Sequence, residues 1–208
     1  MKIPHITLFD DADITDMDTF RKANKQVALD QGVKLTPLAF IVKAVAKALS
    51  DVSRVNSSLS ADGESLVIKK YINIGVAVDT PAGLMVPVIK DADKKGVYQI
   101  AKDIIDFATR AREGKLTGKD MKGGTFTISS LGGLGTTAFT PIVNMPEVAI
   151  LGVSKSANKP VYIDGEFVPR LMLPLSLSLD HRVIDGDLGA KFLSSIVANL
   201  TDLKRLIL

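Results

Sequence analysis

Leucines recur at every second position from Leu171 to Leu179, alternating with Met172, Pro174, Ser176 and Ser178. This period of two predicts a strand with one buried face. The run ends where Asp180, His181, Arg182 and Asp185 crowd four ionisable side chains into six positions, and Gly186 leads into helical spacing. A histidine is thereby expected at a strand end, between a buried sheet and a helix start.

The same patterns divide the rest of the chain. Residues 3–14 read as an extended arm leading into a strand, with His5 as an ordinary surface or packing residue. Thr15 and Asp18 predict the cap and acidic first turn of a helix running through Met17, Phe20, Ala23, Val27 and Ala28 to Gly32. Thr36 and Pro37 predict a second helix to about residue 50, apolar on most of its circumference and therefore largely buried. Residues 51–60 are polar and read as a loop, followed by strands over 66–70 and 71–80 after a turn at Asp62-Gly63. Pro81-Ala82-Gly83 turns the chain into an antiparallel neighbour over 84–90, which Pro87 confines to an edge or a bulge.

A third helix is expected over 97–113, ended by Gly114, with Lys102, Arg110 and Arg112 on a solvated face. The spacing of Thr117 and Asp120 predicts one short helical turn. Further strands are expected over 125–129 and 148–154, a hairpin about Asp164-Gly165, and a final amphipathic helix from Asp187 carrying Leu188, Phe192, Ile196, Leu200, Leu203 and Ile207. Strands and helices interleave, and the close strand pairs favour a mixed α/β sandwich over a doubly wound parallel sheet.

With 208 residues, 46% of them hydrophobic and 24% charged, the chain can bury one sizeable core, so a single domain spanning 1–208 is expected. Cysteine is absent, which excludes disulfides, thiolate ligands and a cysteine nucleophile. Two widely separated histidines and no cysteine make a metal site unexpected. The net charge of +3 is scattered, which does not suit nucleic acid, although local basic patches could hold a phosphorylated cofactor. No signal peptide and no apolar run of about 20 residues is visible, so a soluble, intracellular protein without membrane contact is expected.

A neutral imidazole accepts a proton near pH 7, so His181 is either a base or an inert polar residue at a strand end. The glycine-rich stretch 123–135 offers little to a nucleotide. It lacks the Lys-Ser/Thr ending of a P-loop and the Gly-x-Gly-x-x-Gly spacing of a dinucleotide fold. Ser129 and its neighbour Ser130 lie outside a Gly-x-Ser-x-Gly elbow and read equally as plain polar residues at a strand end.

His181-Arg182-x-x-Asp185-Gly186 resembles the active-site signature of the dihydrolipoamide acyltransferases, the core components of 2-oxo acid dehydrogenase complexes. Other stretches in the family's order are similar too: Ile3-Pro4-His5-Ile6-Thr7, Asn56-Ser57-Ser58, Asn73-Ile74-Gly75-Val76-Ala77-Val78, Gly83-Leu84-Met85-Val86-Pro87-Val88, Phe126-Thr127-Ile128-Ser129 and Pro146-Glu147-Val148-Ala149-Ile150-Leu151-Gly152-Val153. The resemblance implies a chloramphenicol-acetyltransferase-like α/β sandwich forming trimers that build a cubic or icosahedral core, with each active site at a subunit boundary. It implies coenzyme A and dihydrolipoamide as substrates and no metal. It makes His181 the general base, Ser129 an oxyanion donor from the neighbouring subunit, and Asp185 a structural ion-pair partner that orients the loop, with Arg182 either its partner or a packing residue. Partners implied are lipoyl domains and the decarboxylase and dihydrolipoamide dehydrogenase components. The family's lipoyl and subunit-binding domains have no counterpart in these 208 residues, so an isolated catalytic domain is expected, cytoplasmic in a bacterium or in the mitochondrial matrix of a eukaryote.

Residues 129–135 and 141–146 look most like acetyl-transferring members, rather than succinyl or branched-chain ones. Two rivals stand beside this reading: a Ser-His-Asp hydrolase built from Ser129, His181 and Asp185, and a catalytically silent core scaffold.

Overall fold

The computed structural model describes residues 3–80 and 83–207, so part of the expected turn at 81–83 lies outside the described residues. In chain order the elements are β1 (His5–Asp13), α1 (Thr15–Ala23), α2 (Lys25–Asp30), α3 (Pro37–Asp51), a 3₁₀ turn (Ser53–Val55), β2 (Ser57–Leu59), β3 (Leu66–Ile68), β4 (Ile74–Val76), β5 (Val78–Thr80), β6 (Gly83–Met85) and β7 (Val88–Ile89). They continue with α4 (Val97–Arg112), β8 (Phe126–Ser130), β9 (Ala149–Val153), β10 (Ala157–Ile163), β11 (Glu166–Asp180), α5 (Gly186–Thr201) and a second 3₁₀ turn (Leu203–Leu206).

The leucine-alternating strand is the axis of the molecule. One edge of β11 pairs antiparallel with β1, from His5↔Asp180 to Asp13↔Met172. Met172 also pairs with Ala157, so β10 lies along the opposite edge, followed there by β9 at 175–179. The sheet continues through β8 and β4, both in parallel pairings, to β7, which closes it antiparallel as the edge that Pro87 predicts. The mixed sheet therefore matches expectation. So does the β10–β11 hairpin, whose Asp164 (φ 50°) and Gly165 (φ 95°) both take the left-handed conformations of a two-residue turn.

The inward leucines Leu173, Leu175, Leu177 and Leu179 are buried, and α3 and α5 pack over that face, with Phe126 edge-on to Phe192 of α5 at 5.7 Å. Close seating of α5 requires Gly189, where a Cβ would lie 2.6 Å from Leu179 Cδ2 and 3.0 Å from Leu8 Cδ1.

The other face departs from expectation. Ser176 and Ser178 are as buried as the leucines, because the segment after β8 folds back over them. Phe139 lies on Gly152, where a Cβ would come within 2.8 Å of the ring, and the Ser178 and Thr7 hydroxyls bond to each other at 2.8 Å.

Several helix ends also differ. The Asp13 carboxylate accepts both the N–H (3.0 Å) and the hydroxyl (2.7 Å) of Thr15, so the cap of α1 comes from two residues upstream. Asn24 donates its side-chain amide to Phe20 O at 2.8 Å, competing with the backbone ladder, and the expected single helix divides there into α1 and α2. Thr36 precedes α3 but its buried hydroxyl makes no cap bond. Residues 51–60 are not a solvated loop, since Asn56 is buried and donates to Lys69 O and Tyr71 O. The expected strand 71–80 is split into β4 and β5 at Ala77. Arg110 is less solvated than expected, binding Asp106 and Asp120, and the 117–120 segment is a turn rather than a helix. The last helix stops at Thr201, where Asp202 caps the following 3₁₀ turn through Lys204 N.

Candidate active site

β11 delivers Asp180 to the buried end of the sheet, and the chain turns sharply there, with Val183 N and Ile184 N both donating to Asp180 O at 3.0 Å. Arg182 folds back and donates Nε to Asp180 Oδ1 at 2.9 Å. Burial alone would raise the Asp180 pKa, but the hydrogen bonds from Arg182 outweigh it and hold the carboxyl below its ordinary value. The partner of Arg182 is thus Asp180, not Asp185.

Between these two residues His181 is fixed by its backbone N–H, which donates to Pro4 O at 3.0 Å. Arg54 Nε steadies the turn from outside by donating to Val183 O at 3.2 Å. The His181 side chain itself is exposed, and among the described residues its ring makes no hydrogen bond. The geometry presents an exposed imidazole on a turn braced by backbone and side-chain bonds.

Asp185 corrects a second expectation. Its Oδ1 accepts the Leu188 N–H at 2.8 Å and caps α5, a role favoured by the partial positive charge of a helix N-terminus. Among the described residues it forms no ion pair. Asp185 thereby anchors the helix that follows the His181 turn.

Ser129 lies half-buried on β8, opposite Gly152, and Gly152 lies opposite Ser176 of β11. Two strand spacings of about 4.8 Å and five residues of about 3.3 Å separate Ser129 from His181, roughly 19 Å in all. One chain does not bring the two together, nor does it assemble a Ser-His-Asp triad.

His5, expected to be ordinary, has a defined task. Its Nδ1–H donates to Ile3 O at 3.0 Å, and its Nε2 accepts the Val143 N–H at 2.9 Å. The ring ties β1 to the segment that covers the polar face of the sheet.

Glu147 also escaped the sequence reading, although a charged residue abutting the apolar run 148–153 was a visible signal. It is buried, and its Oε2 accepts the Thr127 hydroxyl at 2.7 Å. Burial pushes its pKa up to about 7, with Thr127 and the Lys69 charge opposing. Lys69 Nζ is buried as well, and burial lowers its pKa.

Because the carboxyl of Glu147 keeps its proton in the folded chain after the unfolded chain has lost it, stability falls as pH rises from about 4.5 towards 7, by about 3 kcal/mol in total. Glu147→Gln removes this slope. In urea unfolding at about pH 5 and pH 8, the variant is expected to gain stability on the parent as pH rises; a difference that does not change with pH would rule out a buried, titrating carboxyl.

Residues 1–208 match the family described as 2-oxoacid dehydrogenases acyltransferase (catalytic domain), and the chain belongs to that family. Among its relatives is the dihydrolipoyllysine-residue acetyltransferase component of the pyruvate dehydrogenase complex of Haemophilus influenzae, 59% identical over 208 residues, covering 99% of this chain and 37% of the relative. The chain thus spans a little over a third of that relative's length.

Two solved structures, the cubic core of the pyruvate dehydrogenase multienzyme complex and the dihydrolipoamide acetyltransferase of Azotobacter vinelandii, each superpose with a TM-score of 0.98 at 52% identity. Each match covers 100% of this chain and 85% of the other. Chloramphenicol acetyltransferase shares the fold at a TM-score of 0.64 and 18% identity, over 95% of this chain and 89% of its own, as expected from the sequence.

Proposed function

We propose that the chain is a catalytic domain that moves an acetyl group between dihydrolipoamide and coenzyme A. The observation that carries this reading is the free imidazole of His181, held on a braced turn in a chain that matches the acyltransferase family along its whole length. His181 takes the proton of the attacking thiol, and the thiolate attacks the thioester carbonyl directly. The carbonyl oxygen gains negative charge, the Ser129 hydroxyl donates to it, and the tetrahedral intermediate collapses by expelling the other thiolate, which recovers the proton from His181. No acyl-enzyme is needed.

In the Azotobacter enzyme, the serine, histidine and asparagine whose catalytic roles were investigated are 52 and four positions apart, as are Ser129, His181 and Asp185 here. Asp185 stands at the asparagine's place, and an aspartate caps α5 there as an asparagine can.

The separation of Ser129 from His181 supports a site completed by a neighbouring subunit. The reading includes self-association into trimers that receive lipoyl domains and bind the decarboxylase and dihydrolipoamide dehydrogenase components, and the likeness to a cubic core supports a larger assembly.

Steady-state transfer from acetyl-, succinyl- and isobutyryl-coenzyme A to dihydrolipoamide tests the substrate. Acetyl transfer is expected to exceed each of the others by about 10-fold or more in kcat/KM, the discrimination an added methylene or two supports in a shaped pocket. Faster succinyl or isobutyryl transfer would move the chain to another branch of the family, and none at all by an assembled protein would leave a scaffold.

A further inference from the structure

Between the cover of the polar sheet face and the turn that presents His181 runs a short loop, pinned at both ends. At one end the Val143 N–H donates to His5 Nε2 at 2.9 Å. At the other, Val148 O accepts the Asp180 N–H at 2.8 Å, one residue before His181. Glu147 N donates to Asn144 O at 3.0 Å and closes the loop on itself. Its middle residues, Met145 and Pro146, face the turn, since they line a small cavity of about 140 Å³ together with Ile3, Asp180 and Arg182.

His5 holds more than this loop. It stands opposite Asp180 in the β1–β11 ladder, and its Nδ1 lies 3.0 Å from Ile3 O. The next residue, Pro4, supplies the carbonyl that fixes the His181 N–H. One imidazole thus ties the arm that braces His181 to the loop that flanks it. Its two partners settle the proton: Ile3 offers an acceptor and Val143 a donor, so the bonded ring is neutral with its hydrogen on Nδ1. A protonated ring would set Nε2–H against the Val143 N–H, two donors with no acceptor between them. Val143 is buried, and leaving its donor unpaired is costly, so that end of the loop would come loose.

The ring of His5 is exposed to solvent, and imidazole is the side chain that changes charge between about pH 5 and 8. The titratable and charged groups on the elements packed against it are Asp180, bonded to Arg182, with His181 beside them on the turn, and Glu147 on the loop, bonded to Thr127. We propose that His5 is a positioning residue for acyl transfer, holding the 143–147 loop against the His181 turn only while its ring is neutral. The proposal rests on the acyltransferase reading, and it adds a loss of activity in acid that is separate from protonation of His181.

The test compares the assembled wild type with His5→Ala and His5→Gln in transfer from acetyl-coenzyme A to dihydrolipoamide between about pH 5.5 and 8. Glutamine carries an acceptor at the reach of Nε2 and does not titrate. At about pH 8, His5→Ala is expected to lose about 10-fold in kcat/KM, close to what one hydrogen bond contributes, and His5→Gln to recover most of that loss. Towards about pH 5.5 every form loses activity as His181 takes up a proton, and the wild type is expected to lose about 10-fold more than His5→Gln. His181, Asp180, Arg182 and Glu147 are common to both proteins, so their titrations cancel in the comparison. Amide hydrogen exchange over 140–147, corrected for the intrinsic effect of pH, is expected to lose protection in the wild type over the same range and to stay unchanged in His5→Gln. Parallel acid losses in wild type and His5→Gln, or loop protection in the wild type that does not change with pH, would overturn the positioning role while leaving acyl transfer intact. Should a variant fail to assemble, the exchange of the wild type alone decides. Absence of transfer by the wild type at every pH would instead overturn the acyltransferase reading.

Discussion

In His181→Ala, acetyl transfer is expected to fall about 10²- to 10⁴-fold, the range typical of a lost general base. A thiol of pKa about 8.5 is only a few per cent ionised at pH 7, a handicap of roughly 2 kcal/mol that an adjacent neutral imidazole removes. The turn that holds the ring is built from the backbone N–H of His181, the Asp180–Arg182 pair and the Arg54 contact, none of which uses the imidazole. The variant should therefore fold and assemble like the parent, and its thermal midpoint is the control. Transfer within about 10-fold of wild type, in a protein that assembles normally, would return His181 to an inert role.

The second large effect is a recovery. Ser129→Ala alone is expected to cost about 10²- to 10³-fold, as loss of one oxyanion donor typically does. Mixing it with His181→Ala, after dissociation and reassembly, should restore activity that neither variant has. If each site takes its histidine from one subunit and its serine from the next, random assembly at equal amounts leaves both groups intact in about a quarter of the sites of a closed ring. If one chain supplied both groups, no mixed assembly would contain a complete site. The spacing of roughly 19 Å within a chain favours recovery.

Much of this arrangement is visible in the sequence because local rules carried it. The leucine alternation placed β11, Pro87 placed the sheet edge, Asp164-Gly165 placed the hairpin, and the charged stop after Leu179 placed His181 at a strand end. Departures arose where a distant partner overrode local composition. Ser176 and Ser178 look solvent-facing until the 132–147 segment covers them, and Asn56 looks like a loop residue until its amide binds Lys69 O and Tyr71 O. Asp185 was expected in an ion pair, yet the N-terminus of the following helix claims its carboxylate. The Val143 N–H that His5 accepts and the Thr127 hydroxyl that Glu147 accepts lie 138 and 20 residues away, so neither bond is legible locally, although the charge of Glu147 beside an apolar run hinted at a buried role.

The pairing of β1 with β11 has a consequence for how this protein is made. Thr7 and Ser178, which bond across that ladder, are 171 residues apart, so β1 leaves a ribosome long before the strand it pairs with. At about 5 to 20 residues per second the delay is roughly 10 to 35 seconds, during which an edge of unpaired backbone groups is open to wrong partners. The Pro4 carbonyl that steadies His181 belongs to the same late closure. The turn that presents His181 is therefore complete only once β11 has been synthesised and β1 has closed onto it.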